Sequence, residues 1–254
     1  GGCHIMSDYL HIRNIHKDFS GLHVLTGVDF KVRAKERHAV IGPNGAGKTT
    51  LFNIISGKFK PSSGEILFKG KNIAGTPAHL LNRQGLARSF QITNVFQELS
   101  VFDNILSGVR SRFGLRYHFL KRPVQDRKIR DSVEEIIEMV GLSSVAHQPA
   151  SSLSYGQQRA LEIGITLSTD PELILLDEPT AGMTREETDH AIKMIDQVTA
   201  GRTLIIIEHD MEVVFSLADT ISVLHYGTIL ISDTPEAIRC DQRVKDAYLG
   251  EGSC

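Results

Sequence analysis

The sequence is poor in cysteine and carries no excess of charge of either sign. Its three cysteines, Cys3, Cys240 and Cys254, lie near the ends of the 254-residue chain without CxxC-type spacing, so neither a disulfide framework nor a zinc site is supported. The 28 Lys and Arg residues against 30 Asp and Glu residues leave a formal net charge of -2 at pH 7. This balance argues against nucleic-acid binding over the whole surface. A reducing, cytoplasmic setting fits best.

Long apolar runs are also missing. The longest purely aliphatic runs, Leu173–Leu176 and Leu204–Ile207, are far shorter than the ~20 residues that a membrane-crossing helix needs. The chain is therefore not expected to span a membrane by itself. Residues 1–5 lack the charged flank and apolar stretch of a secretory signal, and we interpret them as a cloning remnant before Met6.

The hydrophobic fraction of 41% is enough for one well-buried core with or without a small subdomain. Short β-rich apolar runs at 37–41, 173–176 and 203–207 alternate with helical patterns, which predicts an α/β core with a largely parallel sheet. Each run ends in polar residues, and ligands bind beyond the carboxyl ends of such strands. We therefore expect the three ends to converge on one site.

Two other regions differ from this core. The stretch from about Tyr9 to Val32 predicts an antiparallel flank of hairpins with turns at Ser20-Gly21 and Thr26-Gly27. Farther along, strand-like runs vanish, and apolar residues between 133 and 140 follow i, i+3, i+4 and i+7 spacing. This periodicity predicts a helical subdomain, over about 88–160, inserted into the core.

A glycine-rich segment matches the pattern GxxxxGK[ST] at every fixed position, between a predicted strand and a helix-like stretch. Its glycines let backbone N–H groups close around phosphate oxygens, and the helix N-terminus adds its dipole. Lys48 is predicted to reach the outer phosphates and Thr49 to bind Mg²⁺. The alternative is a plain strand-to-helix turn. The predicted nucleotide-binding residues here are Gly42, Pro43, Asn44, Gly45, Ala46, Gly47, Lys48, Thr49 and Thr50.

A pair of carboxylates follows the predicted strand 173–176. Asp177 is placed to hold magnesium through water, as the partner acid of a phosphate loop does. Glu178 would project beyond the strand, where a carboxylate can orient or deprotonate an attacking water. An N-cap pair that opens the next helix is the alternative, but the preceding phosphate loop favours the catalytic interpretation.

The segment Leu153–Gln157 resembles the signature motif of ATP-binding cassette (ABC) ATPases, usually Leu-Ser-Gly-Gly-Gln, with Tyr155 in place of the first glycine. Ser154 and Gly156 at a helix start would offer a hydroxyl, N–H groups and a positive dipole end to an anion, and Gln157 completes the motif. Taken alone, the segment could equally be a capped helix. Its position between phosphate loop and acidic strand favours the signature.

Further positions match the family one at a time. Gln91 resembles the Q-loop glutamine, which contacts magnesium and attacking water, and His209 resembles the switch histidine at the γ-phosphate. Phe19 takes the place of the aromatic that stacks on adenine, and Ala181–Met183 falls where the D-loop should be. Taken singly, Gln91 could be a surface amide, His209 a helix cap and Phe19 part of the core.

The resemblance, which covers essentially the whole chain after Met6, implies one ABC ATPase domain over 6–254. Its fold would be α/β, with a RecA-like P-loop NTPase core, an antiparallel β flank and the inserted helical subdomain. It implies an ATP hydrolase with Mg²⁺ as cofactor, working as a head-to-tail dimer with itself or a related ATPase. ATP would lie between Lys48 of one subunit and Ser154 of the other. Because no spanning segment is expected, separate transmembrane permease subunits would hold it at the cytoplasmic face of the membrane as a peripheral protein.

Three segments, 85–91, 94–96 and 243–251, are similar to ATPase subunits of branched-chain amino acid importers. Related urea or amide importers and lipopolysaccharide exporters are alternatives. A soluble ABC ATPase acting on DNA or ribosomes is disfavoured, because the two nucleotide motifs are close together in a single cassette. A kinase is also disfavoured, because Gln91 and His209 would then have no role. No nucleic-acid partner is expected.

The stretch Arg110–Arg130 has eight basic residues against one acid, Asp126. A solvated helical face and a nucleic-acid surface are possible interpretations. We favour a position beside the permease and close to anionic lipid headgroups, where each basic residue contributes ~1 kcal/mol.

Overall fold

The computed structural model describes residues 8–89, 95–112 and 127–249. These residues form two compact units. The first takes its residues from Gly1–Leu81, Leu175–Glu178 and Gly201–Cys254, and the second from Asn82–Ile174 and Pro179–Ala200. The predicted domain limits, 6–254 and about 88–160, stay predictions.

The first unit contains an antiparallel sheet, as the sequence predicts. Its strand order is β2-β1-β4-β5. The bounds are β1 (Leu10–Phe19), β2 (Leu22–Val32), β4 (Ser63–Phe68) and β5 (Lys71–Asn72). The turn expected at Ser20-Gly21 joins β1 and β2. The prediction of a second turn at Thr26-Gly27 is wrong, because Gly27 lies inside β2 with φ 104°. It is an extra residue in the ladder, because Ile15 pairs with Val28 and the next residue pairs with Thr26.

The core of the first unit is a second, mostly buried sheet, in which the order is β10-β9-β3-β8-β7. The bounds are β3 (Arg37–Ile41), β7 (Leu173–Asp177), β8 (Thr203–Ile207), β9 (Thr220–His225) and β10 (Thr228–Asp233). β3 runs parallel to both β8 and β9, whereas β10 is antiparallel to β9. All five residues of β7 and of β8 are buried, which explains their unbroken apolar runs.

Nine α-helices are assigned in the described residues. Their bounds are α1 (Lys48–Ile55), α2 (Ala78–Arg83), α3 (Val101–Arg112), α4 (Arg127–Met139), α5 (Tyr155–Leu167), α6 (Arg185–Val198), α7 (Met211–Leu217), α8 (Pro235–Cys240) and α9 (Gln242–Leu249). Within the described ranges, no helix has both the length and the apolar character that crossing a bilayer requires. The α/β fold class with an inserted helical region is confirmed.

In the second unit, α3, α4 and α5 pack on one another. The four apolar positions that predict a helix, Val133, Ile136, Ile137 and Val140, are all buried. Gly141 ends α4 with φ 72°, and its N–H donates to the carbonyl of Glu138. A short strand, β6 (Leu86–Arg88), lies beside the start of β7, where Leu173 donates to the carbonyl of Gly85.

Residues 113–126, most of the basic stretch predicted to face lipid, lie outside the described residues, as do residues 1–5. Some of its described members make ion pairs. Arg112 pairs with Asp170 at 2.7 Å, and Arg130 pairs with Glu134 at 2.8 Å. The role in lipid binding stays a prediction.

Candidate active site

The glycine-rich loop connects β3 to α1 in the first unit. Two of its glycines are required by close packing. A Cβ on Gly42 would lie 2.1 Å from the carbonyl oxygen of Leu224, and a Cβ on Gly47 would lie 2.6 Å from Leu25 Cδ2. Gly47 is the N-cap of α1 in the left-handed region, at φ 104°. The loop backbone therefore runs where only glycine fits, and it leads directly into the positive end of α1.

Lys48, the first residue of α1, is buried against this loop. Its ammonium donates to the carbonyl oxygens of Gly42, at 2.6 Å, and Pro43, at 3.0 Å. Carbonyl oxygens of the loop thus hold the ammonium of Lys48 next to the N-terminus of α1. A phosphate oxygen carries a negative charge that a carbonyl oxygen lacks, so the ammonium would gain a Coulombic attraction in addition to its hydrogen bond. The ammonium is therefore placed to bind phosphate.

An open cleft of ≈ 270 Å³ lies over this loop. It is lined by Val24, by residues 44–50, and by Glu178 and His209. The loop follows β3, Glu178 follows β7, and His209 comes two residues after β8. The convergence of the three strand ends, expected from the sequence, is therefore what the structure has.

Glu178 and His209 contact each other in this cleft. His209 Nε2 lies 2.6 Å from Glu178 Oε1, and both side chains are partly exposed. Glu178 has φ 48°, a conformation that non-glycine residues seldom adopt and that clusters at functional sites. Its N–H donates to the carbonyl of Ile207 at 2.9 Å, which ties the residue after β7 to the end of β8. The fold thus fixes the backbone of a carboxylate that points into the cleft.

Two oxygen donors suit a hard cation here. The hydroxyl of Thr49 lines the cleft, and the buried carboxylate of Asp177 ends β7 beside Glu178. Magnesium in phosphate sites is held by one or two protein oxygens together with phosphate and water, and these residue types fit that pattern. Their role as magnesium ligands stays a prediction.

Comparison with known proteins shows the family of this chain. A family model described as ABC transporter matches residues 25–181. The high-affinity branched-chain amino acid transport ATP-binding protein BraF of Pseudomonas aeruginosa is 39% identical over 251 residues, which cover 95% of this chain and 98% of that protein. The chain belongs to the ABC transporter family. It is an ATP-binding subunit of a kind that hydrolyses ATP.

Other relatives agree with this assignment. The cassette is 37% identical to the branched-chain amino acid transport protein LivG of Escherichia coli K12, over 95% of this chain and 98% of that one. A second family model, described as branched-chain amino acid ATP-binding cassette transporter, matches residues 232–253. The crystal structure of another ABC transporter cassette in its ADP conformation superposes with a TM-score of 0.82 at 30% identity, covering 96% of this chain and 99% of that chain.

The signature segment of the cassette lies in the second unit, at the start of α5. Ser154 is the N-cap of this helix. Its hydroxyl accepts from the Gln157 N–H at 3.3 Å, and its own N–H donates to Gln157 Oε1 at 3.0 Å. This is a capping box, so the capped-helix alternative is correct as a description of local structure. It does not exclude a ligand, because Ser154 is exposed and its hydroxyl keeps a donor.

The predicted roles of Phe19 and Gln91 are not tested by the cleft. Phe19 is half-exposed and makes an edge contact with Phe59 at 5.5 Å, with Lys17 Nζ 4.8 Å from its ring centroid, but it does not line the cleft. Its role in adenine stacking stays a prediction. Gln91 lies outside the described residues, so its role is equally a prediction.

Sequence reasoning missed two residues around the phosphate loop. Val24 of β2 lines the cleft, and its carbonyl oxygen is 3.1 Å from the position of a Gly47 Cβ. Tyr248 of α9 forms a hydrogen bond with the backbone of Gly42. Burial raises the pKa of Tyr248 to about 12, although that hydrogen bond acts in the opposite direction. Neither side chain has a sequence signal, because both contacts depend on tertiary packing.

Proposed function

We propose that this cassette binds ATP with Mg²⁺ in the cleft over the glycine-rich loop and hydrolyses it to drive import of branched-chain amino acids. The observation that carries the proposal is the convergence of the loop, Glu178 and His209 on one cleft. Backbone N–H groups of the loop and of the first turn of α1 would hold the phosphates. Lys48 would exchange its loop carbonyls for β- and γ-phosphate oxygens.

Glu178 is the proposed general base, or orienting group, for the attacking water. The contact with His209 supports this role, because a carboxylate held at 2.6 Å by an imidazole cannot rotate freely. His209 would in addition contact the γ-phosphate. Thr49, Asp177 and Gln91 would hold magnesium directly or through water, and the bound ion would neutralise charge on the β- and γ-phosphates.

We propose that two cassettes close head to tail, so that ATP on one glycine-rich loop meets the Ser154–Gln157 segment of the other. The exposed N-terminus of α5 supports this arrangement, because its dipole and the remaining Ser154 donor suit a γ-phosphate. The second cassette would be a copy of this chain or a related ATPase. Loss of the γ-phosphate would remove the contacts that favour the closed dimer.

The proposed substrate class is carried by the relatives rather than by the cleft. The tail of the chain matches the branched-chain amino acid cassette model, and BraF and LivG are named for that transport. Separate transmembrane permease subunits would carry the solute. The cassette would lie against them as a peripheral protein on the cytoplasmic face of the membrane.

Reconstitution tests this proposal. The cassette and the membrane subunits that co-purify with it are placed in proteoliposomes, and uptake of labelled leucine is compared with uptake of labelled urea. We expect ATP-dependent uptake of leucine, and none with Glu178→Gln. Uptake of urea alone would contradict the substrate class, and leucine uptake that persists in Glu178→Gln would contradict the role of the carboxylate.

A further inference from the structure

Tyr155 is where this chain departs from the usual signature, and its side chain makes contacts that glycine cannot. Its hydroxyl donates to the carbonyl of Ala181 at 2.8 Å. It accepts from Arg159 Nε at 3.3 Å and from Nη2 at 3.1 Å. One donor and two acceptor positions are all that a tyrosine hydroxyl has, so every one is used.

Arg159 fixes this hydroxyl from the other side. The guanidinium is buried, lies 5.4 Å from the Tyr155 ring centroid, and donates from Nη1 to Glu162 Oε2 at 2.9 Å. Burial opposes the charge of Arg159, but the hydrogen bonds to Glu162 and Tyr155 prevail and raise its pKa above the ordinary value. The arginine is therefore a rigid, charged support with its planar fork held at two points.

The segment reached by Tyr155 has little regular structure of its own. Residues 179–182 form turns before α6, and Gly182 has φ 78°. A Cβ on Gly182 would lie 3.4 Å from the Tyr155 hydroxyl, so the tyrosine packs directly over this glycine. A second contact is close by, since Gly156 faces the carboxylate of Glu187 in the first turn of α6. Both segments belong to the second unit.

We propose that Tyr155 is a positioning residue that holds the Ala181–Met183 loop against the first turn of α5. Helix ends fray, and a site on a helix N-terminus needs its donors held to within about half an ångström. The Tyr155 contacts keep the signature turn and the D-loop segment at a fixed spacing. The effect on hydrolysis rests on the proposed function, in which this turn meets ATP bound to the second cassette.

The test compares Tyr155→Phe with Tyr9→Phe, which removes the same atom from a tyrosine of the first unit. Hydrogen exchange of amides 180–184 in the nucleotide-free protein should be about three- to tenfold faster in Tyr155→Phe, because one net hydrogen bond is lost. The turnover number should fall by a similar factor, with unchanged ATP affinity. Tyr9→Phe should change none of these quantities.

Unchanged exchange of amides 180–184 would overturn the proposal that Tyr155 holds this loop, the contact here called the tether. Faster exchange with an unchanged turnover number would overturn its role in hydrolysis. If the unsubstituted chain did not hydrolyse ATP at all, the proposed function would fail. The exchange measurement would still show whether Tyr155 holds the Ala181–Met183 loop. Tyr155→Gly, which restores the residue common in the signature, is the second variant and should also speed exchange. Exchange that is faster in the buried strand β8 as well would indicate general destabilisation and would count against a local tether.

Discussion

The contact between His209 and Glu178 makes the most specific mutational prediction. His209→Ala removes the imidazole that lies 2.6 Å from Glu178 Oε1. The histidine side chain is 46% exposed, so its loss leaves little cavity and should not change folding. Glu178 keeps its backbone hydrogen bond to Ile207, but its carboxylate can then rotate. We expect hydrolysis to slow while nucleotide binding persists.

The magnitude follows from the interaction that this substitution removes. Removing one preorganised transition-state contact costs about 3–4 kcal/mol. Since each 1.4 kcal/mol is about tenfold in rate, the turnover number should fall by about a hundredfold or more. ATP affinity should stay close to that of the unsubstituted chain, because Lys48, the cation proposed to hold the phosphates, is untouched.

Phosphate release at saturating ATP and Mg²⁺ measures this turnover number, and titration with a fluorescent ATP analogue measures the affinity. His190→Ala is the matched control, since His190 is an exposed histidine of α6 whose ring Nδ1 lies 2.8 Å from the carbonyl oxygen of Glu186 in the same helix. It should hydrolyse ATP at the normal rate. Near-normal turnover in His209→Ala would remove His209 from the catalytic residues and refute the reasoning.

Three further predictions concern binding and stability. Lys48→Ala should weaken ATP binding at least tenfold, since hydrogen bonds to charged groups contribute about 1.5–3 kcal/mol each; an affinity unchanged in titration with the fluorescent analogue would contradict the phosphate role. Ile206→Ala, at a fully buried position of β8, should lower the free energy of unfolding in urea by about 2–5 kcal/mol, and a loss well below that range would contradict the packing described. Because the pKa of Tyr248 is raised to about 12 in the folded state, its contribution to stability should be complete below about pH 10 and decline as the pH rises toward 12. Tyr248→Phe should remove that part of the alkaline loss in urea titrations, and an identical pH profile would contradict the raised pKa.

The sequence allowed the site to be located because its elements are local. The glycine-rich loop occupies eight consecutive residues, and the strand before Asp177 is an unbroken apolar run that only a buried strand explains. The rule that strand ends converge then brought Glu178 and His209 to the loop, where the structure has them.

The features that the sequence did not predict depend on tertiary packing. A glycine at position 27 suggests a turn, but strand pairing on both sides turns it into a bulge within β2. Val24 and Tyr248 reach the loop from a distant strand and a distant helix, with no local pattern to indicate it. In the sequence, Tyr155 is only a departure from the usual glycine. Its contact with the carbonyl of Ala181, 26 residues later, exists only in the folded chain.

Nucleotide-driven pairing of cassettes is the central claim, and light scattering on Glu178→Gln tests it most directly. This variant should bind ATP without releasing phosphate, so that the closed state accumulates. The measurement is made on the variant alone and on the variant mixed with a related cassette that co-purifies with the same membrane subunits. Addition of ATP and Mg²⁺ should double the molar mass in at least one sample, and Lys48→Ala added to the same variant should abolish the change. A monomer that persists in both samples with ATP and Mg²⁺ would contradict the account.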